Sequence, residues 1–263
     1  AIIEIKTKKI LNPIFKSSFS VGSILGATLA SYCLGKVIDP KILFFLLGLF
    51  LFLSTLSMYF FGLSKNHDYV EKSPSFSFPS KIIFLFALVN MMFFASIGII
   101  LNWSSLWFLN DLKGPIYLAG FILLFFNIGE VTSNFMASKL INFFNEKIVG
   151  PYFTMIGSVI LTLSIFTQNV YVILIGMIIF GSMSSNMQPI IFRQAIKFSK
   201  ESIPKTISHI SSIGFSGLIF GPAVVGFSAQ KYGLTFNMYV LCIVFFLISM
   251  IMAILMSQKK INE

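Results

Sequence analysis

One carboxyl group stands deep inside a long apolar run of the sequence. Of the nine acidic residues, Glu130 alone lies well within such a run. Asn127, Glu130 and Asn134 are spaced three and four residues apart, so in a helix they share one face. A buried carboxyl group can take up and release a proton, and nearby amides can bind polar groups of a solute. The spacing predicts a proton-coupling or ligand-binding face. The alternatives are a protonated Glu130 that holds neighbouring helices together, and an ionised Glu130 that faces a water-filled cytoplasmic half-channel without a coupling role.

The composition indicates what kind of chain carries these residues. Hydrophobic residues make up 56% of the 263 residues and charged residues 11%, and the mean hydropathy is +0.90. A soluble domain has about 45–50% apolar and about 25% charged residues, so a water-soluble enzyme or secreted domain is excluded. The net charge of +10 comes from basic residues placed between apolar runs, which is typical of a membrane protein rather than a nucleic-acid binder. No Cys or His spacing indicates a metal or cofactor site.

Eight apolar runs are long enough to cross a bilayer as helices, since a crossing needs roughly 20 residues. They are approximately residues 18–34, 42–63, 82–109, 115–137, 149–167, 170–192, 207–229 and 234–256. These runs are too long for the strands of a membrane barrel, which alternate over about 9–11 residues. We therefore predict an all-α polytopic membrane protein with eight transmembrane helices.

The basic residues predict the orientation of these helices. Four of them, Lys36, Lys41, Lys113 and Lys231, fall in odd-numbered loops, and the other Lys and Arg residues fall at the termini and in even-numbered loops. Because cytoplasmic segments carry the excess of Lys and Arg, both termini of the chain are predicted to be cytoplasmic. Residues 64–80 combine Ser, Pro and both charge signs, which is typical of a flexible joint between groups of helices.

Small residues spaced four apart recur six helices apart in the sequence. Gly22 and Gly26 lie in the first run, and Gly217 and Gly221 in the seventh. Glycines at this spacing let helix backbones approach closely in lipid. A six-helix period with a cytoplasmic joint is the architecture of secondary transporters built from two halves. Pro189 and Pro222 each remove a helix hydrogen bond, so we predict kinks in the sixth and seventh helices, although kinks also occur in simple bundles.

Further polar and aromatic residues inside the apolar runs extend the candidate site. They are Asn90, Asn102, Trp103, Trp107, Asn186 and Gln188. Amides can hydrogen-bond the hydroxyls or carboxylates of a solute, and an indole can stack on a sugar-like face. For each amide the alternative is a helix–helix hydrogen bond of about 0.6 kcal/mol. For the two tryptophans the alternative is the aromatic belt at the membrane interface.

Three stretches resemble the major facilitator superfamily (MFS) of transporters. Residues 19–27 (FSVGSILGA) are similar to the fifth helix of bacterial members, and residues 207–226 (ISHISSIGFSGLIFGPAVVG) to the eleventh. Residues 102–109 (NWSSLWFL) are similar to a run in the seventh helix of an inner-membrane branch distantly related to fucose permeases. The resemblance implies that the eight predicted helices correspond to family helices five to twelve, so that the chain is part of a longer transporter or a degenerate remnant of one.

The resemblance also implies a division of the chain into three segments. Residues 1–63 would be the last two helices of an N-terminal half, residues 64–80 the central cytoplasmic loop, and residues 81–263 a six-helix C-terminal half. Asn102 stands where the branch has an acid before the tryptophan. Residues 134–147 lack the Gly/Arg/Asp/Arg signature of the corresponding family loop, which leaves the ion-pair chemistry of the gate open.

Together these observations predict a secondary transporter in the bacterial inner membrane. It would move a small polar solute by alternating access, with protons as the candidate coupling ion. The sequence contains no Gly-x-x-x-x-Gly-Lys-Ser/Thr phosphate loop for an ATP-driven mechanism. The alternatives are a non-transporting membrane scaffold or remnant and, less favoured, an intramembrane lipid-modifying enzyme, which would need paired acids, His clusters or a metal. Enzyme activity, a cofactor and a nucleic-acid partner are not expected.

Overall fold

The regular structure is helical throughout the described residues. A computed structural model describes residues 12–35, 39–61, 78–115 and 118–257. The α-helices in these ranges are α1 (Asn12–Gly35), α2 (Pro40–Phe61), α3 (Lys81–Asn110), α4 (Phe121–Phe144), α5 (Phe153–Phe166), α6 (Val170–Ser184), α7 (Met187–Phe198) and α8 (Ile203–Ser257). A π-helical turn, Ile148–Tyr152, leads directly into α5. The predicted all-α fold class is confirmed.

Several of these helical stretches are suited to a bilayer by length and composition. They are Lys41–Phe60, Lys81–Asn110, Phe121–Phe144, Ile148–Phe166, Val170–Phe198 and Ile203–Ser257. The helix α1, which carries several Ser and Gly residues, is not among these six. The last stretch has 55 residues. At about 1.5 Å per residue it is far longer than the roughly 30 Å of hydrocarbon in a bilayer. The number of eight crossings therefore remains a prediction.

The chain divides into two compact units. Leu25–Phe78 form one unit, and the residues up to Ile24 group with those from Pro79 onward in the other. In the smaller unit no residue of the apolar stretch Lys41–Phe60 is buried. Its large side chains, such as those of Phe44 and Phe50, are exposed, as suits a helix surrounded by lipid. The candidate site lies in the larger unit.

In the larger unit α8 folds back on itself along α3. Gly233 is the residue inside α8 with non-helical dihedral angles, φ 78° and ψ 168°, in a region that favours glycine. Before it, Gly217 lies against Met91 of α3, and after it the ring of Phe245 packs on Phe93, with ring centroids 5.7 Å apart. Both arms of α8 therefore contact the same part of α3. The loop predicted between the seventh and eighth helices is reduced to Gly233.

Asp111, just beyond the end of α3, holds this reversal in place. Its Oδ2 accepts hydrogen bonds from the backbone N–H of Thr235 (2.7 Å) and from its hydroxyl (2.8 Å). Trp107 Nε1 donates to the same hydroxyl oxygen at 2.9 Å. The first N–H groups of a helix lack partners within it, and a carboxylate there also interacts favourably with the helix dipole. Asp111 thus caps the second arm of α8 from a different helix.

Glycine brings two pairs of helices into backbone contact. A Cβ at Gly217 or Gly221 would overlap carbonyl oxygens of α3, and one at Gly129 of α4 or Gly181 of α6 would overlap a carbonyl oxygen of the facing helix. Close approach of this kind lets packing drive the association of helices in lipid. At Gly22, by contrast, a Cβ would meet no atom of the described residues within 4 Å, and the same is true at Gly26. The four glycines of the sequence pattern therefore differ in their surroundings.

The fourth helix lies further along the chain than the sequence predicted. It was expected at residues 115–137, whereas α4 is Phe121–Phe144. A short turn at residues 118–120 follows Pro115, and the helix begins only after it. Lys139 does not end α4, because a long side chain can keep its charge in water while its stem covers apolar surface. The helix ends where Asn145 adopts a positive φ of 71°.

The sixth predicted helix is interrupted shortly before its proline. The helix α6 ends at Ser184 and α7 begins at Met187, and the two residues between them, Ser185 and Asn186, keep right-handed helical dihedral angles. This short interruption, which we call the break between α6 and α7, precedes Pro189 by a few residues. Proline is tolerated in the first turn of a helix, where its missing N–H would have no partner. Inside α8 the dihedral angles remain helical at Pro222, whose ring packs against Gly98 of α3. The kink predicted there is therefore not a break in the helix.

The surroundings of Gly217 and Gly22 generate a stability prediction. Gly217→Ala would force α3 and α8 apart, because the new methyl group overlaps the carbonyl oxygen of Met91. We expect a loss of about 1–3 kcal/mol, the range for overpacking a tight contact. Gly22→Ala is the matched control, with an unchanged or slightly raised unfolding temperature. Thermal unfolding of the purified variants in detergent measures both. Equal unfolding temperatures would contradict the close contact at Gly217.

Candidate functional site

The predicted polar face of α4 is buried. Asn127, Glu130 and Asn134 are 1%, 4% and 0% exposed, respectively. Glu130 and Asn134 lie near the middle of this 24-residue helix, and Asn127 lies closer to its first turn. A carboxyl group so far from water requires polar partners. The neighbouring helices therefore determine what this face can do.

Two serines of α1 supply polar partners to this face. The Ser20 hydroxyl donates to Glu130 Oε2 at 2.8 Å, and Asn127 Nδ2 donates to the Ser23 hydroxyl oxygen at 3.0 Å. The residue numbers of the bonded partners rise along α1 and fall along α4, so the two helices are antiparallel here. Ser17, one turn earlier in α1, is also buried. These serines were not predicted as site residues, although their spacing of three in the sequence places them on one face of a helix.

On the other side of Glu130 the break between α6 and α7 meets α4. Asn186 lies at this break, and its Nδ2 donates to the Ser133 hydroxyl at 2.9 Å. Among the described residues, its Oδ1 is buried without a hydrogen-bond partner, as are both amide atoms of Asn134. Buried polar atoms are rarely left unpaired in folded proteins. These three atoms can therefore bind a further polar group.

The remaining candidates make contacts away from this face. Asn102 is exposed and its amide donates to the Gly98 carbonyl of its own helix. Trp103 Nε1 donates to the carbonyl oxygen of Pro222 at 3.0 Å, so the indole links α3 to α8. Gln188 is half-buried in the first turn of α7, two residues after Asn186. In the described residues, the hydrogen bonds of Asn102 and Trp103 do not connect them to α4.

A cluster of ionic residues joins the turn after α4 to α7. Glu146 is buried there, with Oε1 2.6 Å from Arg193 Nη2 and Oε2 2.7 Å from Lys197 Nζ. Gln194 also donates to Oε2. Arg193, Gln194 and Lys197 are spaced one and three apart, which places them along one side of α7. At this turn the acid comes from the turn itself and the bases come from the facing helix α7.

A cavity also lies along α4. It measures about 190 Å³ and is lined by Thr132, Ser133, Met136, Leu140, Phe153 and Ser182. At about 100° per residue, Thr132 and Met136 point away from Glu130, whereas Ser133 lies on the same side of α4 as Glu130 and accepts a hydrogen bond from Asn186. Among the residues that the structure describes, no group of three or more His, Cys, Asp or Glu side chains is placed to hold a metal ion.

The geometry defines a class of protein, a helical bundle suited to a membrane with a buried polar face at its centre. No family model matches the chain, and no solved structure matches it. The chain is similar to an uncharacterized MFS-type transporter of Yersinia pestis, with 26% identity over 225 residues. The similarity covers 84% of this chain and 57% of the relative, so the chain spans a little over half of the relative's length.

This similarity confirms the predicted resemblance to MFS transporters. The apolar helices of this chain, which are long enough to cross a bilayer, agree with a multi-pass membrane protein. The narrower resemblance to a branch related to fucose permeases is not confirmed. The similarity is to a transporter rather than to an enzyme.

The ionic cluster generates a second stability prediction. Glu146→Ala would leave Arg193 and Lys197 facing each other without a counter-charge, so we expect a loss of about 1–3 kcal/mol. Lys200→Ala, which removes an exposed cation outside the cluster, is the control and should have little effect. The double variant Glu146→Ala, Lys197→Ala should recover part of the loss. Unfolding temperatures in detergent test this, and additive losses would exclude coupling between the two side chains.

Proposed function

We propose that the chain is part of an MFS-type secondary transporter that moves a small polar solute by alternating access, with proton coupling at Glu130. The main support is the buried Glu130 carboxyl group, hydrogen-bonded to Ser20 of α1 at 2.8 Å in the middle of α4. A charged group at the centre of a bilayer is unfavourable by roughly 2.5–3.5 kcal/mol. Such a group is retained where it has a functional role or a polar partner, and sites near the midplane are typical of secondary transporters.

The solute would bind beside Glu130, between α4 and the break that separates α6 from α7. The unpaired amide atoms of Asn134 and Asn186 support this proposal, because they offer one donor group and two acceptors to an incoming polar group. Gln188, in the first turn of α7, is a secondary candidate for contact with the solute.

The orientation and division of the chain are part of the same proposal. Both termini of the chain would be cytoplasmic in a bacterial inner membrane, as the distribution of Lys and Arg predicts. Residues 1–63 would complete an N-terminal half, residues 64–80 would be the central loop, and residues 81–263 would form the C-terminal half. Gly217, Gly221 and Pro222 would keep α3 and α8 together as a rigid pair during the transport cycle, which their close contacts with α3 support.

The decisive test is proton flux in proteoliposomes that contain the protein and a trapped pH-sensitive dye. Individual sugars and amino acids are added outside, and we expect at least one of them to cause a saturable change in internal pH. Glu130→Gln should abolish this change while solute exchange at equal pH on both sides continues, because the amide cannot carry the proton.

Glu201→Gln is the matched control. Glu201 lies in the turn between α7 and α8, where its carboxylate oxygen is 3.4 Å from Nε2 of His209. This variant should retain the flux. Solute-dependent proton flux that persists in Glu130→Gln would exclude Glu130 as the coupling group. A complete lack of saturable flux in the unmodified protein would favour a non-transporting scaffold.

A further inference from the structure

Ser20 and Ser23 belong to the site that Glu130 and Asn127 form. We infer that these two serines are positioning residues for Glu130 and Asn127, so that α1 forms one wall of the transport site. The inference rests on the proposed function, because it assigns the partners of the proposed coupling group. We call the two hydrogen bonds, Ser20 to Glu130 and Asn127 to Ser23, the α1–α4 seam.

The direction of the Ser20 hydroxyl is the first support. Serines within membrane helices commonly donate to the carbonyl four residues earlier in their own helix. Ser96, Ser184 and Ser249 do this, at 2.7–3.0 Å. Ser20 instead donates to a carboxylate on a different helix, 110 residues away in the chain. A hydroxyl that donates to a buried carboxyl group fixes the orientation of the accepting oxygen.

The repetition of the contact is the second support. The two bonds of the seam lie one helical turn apart on both helices, since the serines and their partners are each three residues apart. A single polar contact between two apolar helices is compatible with many rotations of either helix. Two contacts in register hold α1 and α4 at one rotation, and therefore hold Glu130 at one orientation relative to Asn127.

The charged groups near the seam remain unchanged in every variant proposed below. Besides Glu130, the charged residues of α1 and α4 are Lys16, one turn before Ser20 in sequence, and Lys139. The helix α6 carries no Asp, Glu, Lys, Arg or His, and Lys81 is the charged residue of α3. A change in the labelling of Glu130 that Ser20→Ala causes and Ser20→Thr reverses is therefore assigned to the Ser20 hydroxyl.

The test is the reaction of Glu130 with dicyclohexylcarbodiimide, an apolar reagent that modifies protonated carboxyl groups. The labelled residue is identified by mass spectrometry of the full chain in proteoliposomes, with Glu130→Gln as the blank. Ser20→Ala should be labelled several-fold faster than the unmodified protein, because the Glu130 carboxyl group is no longer held in one orientation by the Ser20 hydroxyl. Ser20→Thr, which keeps the hydroxyl, should restore the original rate.

Ser249→Ala is the matched control, because this buried serine donates to the Phe245 carbonyl oxygen of its own helix and its loss should not change the labelling of Glu130. If Ser20→Ala does not fold, Ser20→Cys replaces it, since a thiol of similar size is only a weak donor. Ser23→Ala should raise the KM for the solute several-fold without changing the labelling rate. A change in KM without a change in the labelling rate would show that Ser23 positions Asn127, whereas Ser20 positions Glu130.

Labelling of Ser20→Ala at the original rate would overturn the inference, whatever the transport assay shows. Absence of solute-dependent proton flux in the unmodified protein would contradict the proposed function instead, while the labelling rates would still report on the seam. Faster labelling of Ser20→Ala, together with reduced gradient-driven flux and unchanged solute exchange in that variant, would support both the inference and the proposed function.

Discussion

A carboxyl group buried among apolar helices requires polar partners, and this constraint organises the centre of the bundle. Glu130 is 4% exposed in the middle of α4, and its hydrogen bond to Ser20 comes from a helix more than 100 residues earlier in the chain. Burial of a charged or polar group without such partners would destabilise the fold by several kcal/mol. The hydrogen bond from Ser20 to Glu130 thus both places α1 against α4 and provides Glu130 with a polar partner.

The rest of the larger unit provides a rigid support for that contact. Glycines allow α3 to touch α8 and α4 to touch α6 at the level of the backbone, and Gly233 reverses the chain so that both arms of α8 cover α3. At the end of the bundle where α7 lies, Glu146 joins the turn after α4 to Arg193 and Lys197. Packing and ion pairs therefore fix the helices around α4, whereas the α1–α4 seam depends on two hydrogen bonds.

That the chain forms apolar helices suited to a membrane was predictable from the sequence, because the hydropathy of a segment depends on that segment alone. A helix that crosses lipid must be apolar along its own length, so the runs that contain α3 and α4 are recognisable without knowledge of their partners. The ends of the helices were less predictable. A lysine such as Lys139 can lie inside a helix, and a single glycine, Gly233, can replace a loop.

The face formed by Asn127, Glu130 and Asn134 was also determined by the sequence alone, since helical periodicity places residues three and four apart on the same side. Only the tertiary structure decided which groups meet that face. The partners Ser20 and Asn186 lie on helices whose rotation depends on packing with several neighbours at once. No local pattern encodes such long-range contacts, which is why the serines of α1 became visible as site residues only in the folded chain.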